Sequence, residues 1–182
     1  MEINKQFLEK LIIKALTTDS VYMSRVVRYL DNKLFVDNNY NIVADFYKKF
    51  WDNHSKLPSV EEIKLFANDP NFFNSFKKFY NDTANISLDA VEEEILYKES
   101  EKYIKEKLAS ITLSSAVDKM IKNEIEPSYL VNRFEEIAGI SLLFDKGYDI
   151  YKDVDRYIES LKSSTNRLST GFKEIDKNIN GG

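Results

Sequence analysis

The chain of 182 residues contains no cysteine. Disulfides, zinc ribbons and thiol catalysis are therefore excluded, and a reducing compartment fits. Only 3 prolines and 5 glycines punctuate it, which points to helices rather than turn-rich β architecture. There is a single histidine, His54, beside Trp51 and Asp52. At a predicted helix end it reads as a surface or C-terminal capping residue rather than a catalytic base. Long apolar runs are also absent. Leu11-Ile12-Ile13 is broken at once by Lys14, and nothing approaches the roughly 20 residues that span a bilayer. Neither a signal peptide nor a membrane contact is expected, and a cytoplasmic setting follows. No block of positive charge stands out. The 26 basic and 30 acidic residues alternate along the chain, for a net charge of −4. A tight, sequence-independent grip on a phosphate backbone would need a basic face.

Chemistry-bearing patterns are scarce for the same reason. Gly181-Gly182 is too short to cradle a phosphate and lacks the Lys and Ser/Thr of a phosphate loop. Glu92-Glu93-Glu94 are consecutive. On a helix they point in different directions and cannot converge on one ion. They read instead as an acidic first turn favoured by the helix dipole. Phe46-Tyr47-Lys48-Lys49-Phe50 and Phe76-Lys77-Lys78-Phe79-Tyr80 interleave aromatics with lysine, as single-stranded nucleic-acid platforms do. At helical spacing such aromatics belong to a core, with lysine on the wet face. No catalytic, cofactor-binding or metal-binding residue is expected.

What the chain does have is aromatic and aliphatic mass at helical spacing. Aromatics make up 13% of residues, enough for a real core. Asn4 to about Thr17 reads as a helix with Phe7, Leu8, Leu11, Ile12 and Ala15 on one stripe, and Asn4 as its N-cap. Asp19 or Ser20 opens a second helix through Val21, Tyr22, Val26, Val27 and Leu30. After Leu34-Phe35, a third runs from about Asn39 to Asn53. Ser59 and Glu62 form a capping box for a short fourth helix. Asp69-Pro70 is an N-cap and N1 pair that opens a fifth. Residues 1–86 thus read as a compact helical bundle.

The character changes from Ser87. Apolar residues recur at helical spacing from Leu88 to Ile121, and the stretch between Tyr97 and Tyr103 reads as a solvated helical stem. Asn123 to Pro127 breaks the pattern, and Pro127 starts another helix. Two helices joined by a short break make an antiparallel hairpin over 87–142. Its expected interface with a second copy comprises Ile104, Leu108, Ile111, Leu130, Phe134 and Ile137. Residues 143–166 read as a linker. Ile150, Val154, Tyr157, Ile158 and Leu161 form the docking stripe of an isolated amphipathic helix within it. The fold class expected is all-α.

The last stretch, 167–182, reads as the opening of a further domain. Ser169-Thr170-Gly171-Phe172-Lys173-Glu174-Ile175-Asp176 leads into a short amphipathic helix and then Gly181-Gly182. Thr170-Gly171-Phe172-Lys173-Glu174-Ile175-Asp176 resembles the Thr-Gly-Phe-x-x-Leu-Asp lead-in of the RecA-like motor in DnaB-type replicative DNA helicases, with Ile175 in the Leu place. The order of bundle, hairpin, linker helix and motor lead-in resembles that family over the whole chain, and the acidic, aromatic linker from Phe144 to Leu161 looks closest to helicases of T-even-type phages.

The resemblance implies a parent that is a hexameric ATPase encircling single-stranded DNA and moving 5′ to 3′ at the replication fork, in a bacterial or phage-infected cytoplasm. It implies hairpins paired into a collar of dimers, a linker helix docked on the next subunit, and a collar that binds primase and, in some systems, a loader. ATP and Mg2+ would belong to the parent's motor domain, as would the main contact with single-stranded DNA. The family's Walker A loop, catalytic Glu, arginine finger and DNA-binding loops have no counterpart up to Gly182, so this chain alone is expected to be inactive. An alternative reading is a free-standing helical adaptor, a helicase loader or primase-binding protein without a motor. The front end of another RecA-family ATPase is a third, which leaves the bundle and hairpin unexplained.

Overall fold

A computed structural model describes residues 4–66, 69–122 and 127–143. The chain divides into two compact units, Met1–Leu143 and Phe144–Gly182, and all described residues belong to the first. The expected linker helix and the motor lead-in lie outside them.

The described unit is all-α. Its helices are α1 (Lys5–Thr18), α2 (Ser20–Val26), α3 (Asn38–His54), α4 (Val60–Phe66), α5 (Pro70–Thr83), α6 (Glu93–Ile121) and α7 (Pro127–Ala138). Short 3-10 turns at Val27–Tyr29 and Leu88–Ala90 follow α2 and precede α6. No described helix is long and apolar enough to cross a membrane.

The helix starts are set by side chains that satisfy orphan backbone donors. Asn4 Oδ1 accepts the Phe7 N–H at 3.1 Å. Asp19 ends α1 and starts α2. Its own N–H donates to Ala15 O, and its Oδ1 accepts from Val21 N–H at 2.8 Å and Tyr22 N–H at 3.0 Å. Asp37 caps α3, which begins at Asn38, one residue before the expected Asn39, and accepts the Asn39 N–H at 2.9 Å. The α4 capping box is reciprocal: Ser59 N–H donates to Glu62 Oε2 at 2.7 Å, and Glu62 N–H to Ser59 Oγ at 3.2 Å. Together with Lys56, these bonds hold the Glu62 carboxyl down at about 2. Asp69 caps α5 ahead of Pro70.

The core is centred on α1, which packs against α2, α3, α5 and α6. Ile12, Ile13, Leu16, Tyr22, Met23, Val26, Leu34, Val43 and Ile104 have no exposed surface. Phe46 joins α3 to its neighbours, with its ring 4.5 Å from Phe72 and 5.4 Å from Phe66. The same core continues into the first half of α6 through Leu96, Tyr97, Tyr103, Ile104 and Leu108.

This corrects one expectation. The stretch from Tyr97 to Tyr103 is helical but is not a solvated stem. Tyr97, Ser100 and Tyr103 recur every three residues, so they share one face, and all three are buried. The outer positions of the same turns carry the charges.

Candidate assembly surface

The site begins with the phase of the apolar pattern along α6. Ile104, Leu108 and Ile111 lie on one side of the helix. From Ile111 to Leu113 is a step of two residues, about 200° around the axis at 100° per residue. Leu113, Val117, Met120 and Ile121 then continue on the opposite side. These four are 54%, 55%, 58% and 77% exposed. Thr112 and Ala116 stay buried on the flank turned to α7, where Lys119 places its Nζ 4.1 Å from the Tyr129 ring centroid. Among the described residues, the outer stripe therefore has no cover from either arm of the hairpin. Tyr129 and Val131 on α7 are exposed beside the same end.

The six residues expected to face a second copy are placed differently. Ile104, Leu108 and Ile137 are buried in the chain's own core, and Ile111 is half-buried against it. Leu130 and Phe134 are half-buried. These residues form the seam of the hairpin and its junction with the bundle, so the open apolar surface lies further out, at the tip. The linker-helix residues Ile150, Val154, Tyr157, Ile158 and Leu161 fall outside the described residues.

At the base, polar side chains lock the hairpin to the bundle. The Tyr103 hydroxyl donates to Glu9 Oε1 at 2.5 Å and lies 3.0 Å from Leu34 O. Glu9 also accepts the Val36 N–H at 3.3 Å and has Lys107 Nζ at 4.0 Å. Burial, together with the Glu9 carboxylate, pushes the Tyr103 hydroxyl well above the usual tyrosine range. Tyr22 donates to Ser100 Oγ at 2.7 Å with both residues fully buried. Among the described residues, no buried side-chain nitrogen or oxygen lacks a partner. Tyr103→Phe should cost about 1–3 kcal/mol, because it strips a buried carboxylate of its nearest donor. For a chain of this size that lowers Tm by about 2–4 °C per kcal/mol. A thermal melt indistinguishable from wild type would mean that Glu9 is satisfied without Tyr103.

No catalytic constellation accompanies this surface among the described residues. No group of three His, Asp or Glu residues there could hold a metal ion. A half-open cavity of about 370 Å³ lies between Arg28–Asp31 and the α6–α7 base. Its charges are occupied internally: Arg133 pairs with Glu136 at 2.8 Å, and Arg28 stacks over Tyr29 at 4.8 Å. His54 ends α3 with its ring 4.5 Å from that of Phe50. The aromatic and lysine runs mostly turn their rings inward: Tyr47, Phe50 and Phe79 are buried and Phe46 and Phe76 half-buried against the core, while Tyr80 is exposed. Lys48 donates to Leu30 O, and Lys49 and Lys78 pair with Asp45 and Asp37.

The chain matches no family model. No curated protein is similar to it at a significant level.

Proposed function

We propose that this chain is the N-terminal collar and linker region of a hexameric, ATP-dependent replicative DNA helicase of the DnaB type. Its role is ring assembly and the binding of primase or a loader at the replication fork, in a bacterial or phage-infected cytoplasm. The observation that carries the reading is the outward apolar stripe Leu113, Val117, Met120 and Ile121 at the tip of the α6–α7 hairpin. An exposed stripe of this kind on a polar helix calls for a partner. Support also comes from the order of parts, a bundle and hairpin followed by the Thr170–Asp176 segment. ATP, Mg2+ and the hydrolytic step belong to the motor domain of the parent and not to these residues.

The experiment is sedimentation velocity on the wild-type chain and on Val117→Asp/Met120→Asp. Wild type is expected to self-associate. The variant should fold with an unchanged melt and associate at least about tenfold more weakly, because each copy brings its charges to a shared, symmetric contact. A wild-type chain that stays monomeric at every concentration, or a variant that assembles as well as wild type, removes the collar reading.

A further inference from the structure

α7 is held at one end and released at the other. Ile140 and Ile137 are buried, Phe134 and Leu130 half-buried, and Val131 and Tyr129 exposed. The helix has 12 residues, a length at which an isolated helix is marginal in water. It therefore depends on what fixes its base.

That fixing is done just past its C-terminus. Leu142 is 1% exposed. Its N–H donates to Glu101 Oε2 at 3.1 Å, and its C=O accepts from Arg25 Nη1 at 3.5 Å. Glu101 is steadied by Lys105 Nζ, 2.7 Å from Oε1. Arg25 lies over the Tyr97 ring at 4.4 Å and 4.0 Å from Glu93 Oε1. Both backbone groups of one residue are thus held by charged side chains from α6 and α2. The bond to the ionised Glu101 is the tighter hold, and Arg25, at the outer limit of a hydrogen bond, adds its charge beside the carbonyl.

We propose that the Arg25–Glu101 clamp on Leu142 is a latch that keeps α7 closed on α6. Release of the latch frees α7 as far as the tip. The latch thereby connects Leu142, just past the end of α7, to the apolar tip.

Hydrogen exchange on the full chain tests it, with Glu101→Ala and Glu101→Gln. Alanine removes the acceptor and favours the helix, so α6 persists. Glutamine keeps an acceptor of the same length. In Glu101→Ala, exchange should rise about tenfold, the scale of one charge-assisted hydrogen bond, at Ile140–Leu143 and also at Val131–Phe134. Amides of α1 to α3 should stay at wild-type rates, and Glu101→Gln should recover most of the protection. A rise confined to Ile140–Leu143 would reduce the clamp to a local cap. A uniform rise through α1 to α3 would make Glu101 a global stabiliser, and no rise anywhere would mean that Leu142 holds without it. Each of these three results overturns the latch.

Discussion

Ile104→Asp is expected to unfold the helical unit outright, not merely to separate copies of it. Ile104 has no exposed surface and sits in the core shared by α1, α2 and the first half of α6. A carboxylate there would have no partner. Burying an unpaired charge costs several kcal/mol even after relaxation, against a total stability of about 5–15 kcal/mol for a domain. The milder Ile104→Ala keeps the measurement quantitative, with an expected loss of about 2–5 kcal/mol. Far-UV circular dichroism and a thermal melt read both variants. A folded Ile104→Asp chain that differs from wild type only in its sedimentation would return this residue to an interface between copies.

The second large effect is alkaline unfolding. Burial pushes the hydroxyls of Tyr22, Tyr40, Tyr47, Tyr97 and Tyr103 above the usual tyrosine range, Tyr47 to about 12. The neighbouring carboxylates Asp82 and Glu9 add to it at Tyr40 and Tyr103. A tyrosine whose pKa is raised by folding keeps its proton in the native state and loses it in the unfolded one. Its contribution is fully present below the unfolded value of about 10 and falls as the pH climbs toward the folded value. Each such tyrosine removes about 1.4 kcal/mol per pH unit across that window. With several acting together, the urea midpoint should drop steeply from pH about 10 to about 12. Tyrosinate absorbance should appear together with unfolding in one cooperative step. Gradual tyrosinate formation near the ordinary pKa in a chain that stays helical would show that these hydroxyls reach water.

The features legible in the sequence are those decided within one turn. Asn4, Asp19, the Ser59–Glu62 box and Asp69-Pro70 announce helix starts because a cap acts over two or three residues. The face of α6 was not legible. Ser100 is a poor core residue by type, and its full burial depends on the Tyr22 hydroxyl reaching it from α2. Glu9 is buried for the same reason, through Tyr103. Local periodicity carries no information about partners so far apart along the chain. The tip stripe is a different case, since Val117, Met120 and Ile121 belong to the expected apolar recurrence. What marks them out is the half-turn change of phase between Ile111 and Leu113, which a single continuous stripe conceals.

α6 has 29 residues, a rod of about 43 Å at 1.5 Å per residue. Its N-terminal half is built into the core, and its last turns overhang. Mechanically this is a cantilever. Tilting the overhang beyond Ile111, ten residues or about 15 Å, by about 5° moves its free end by little more than 1 Å. The exposed residues from Leu113 to Ile121 can thus shift on the ångström scale, leaving the packing around Ile104 undisturbed.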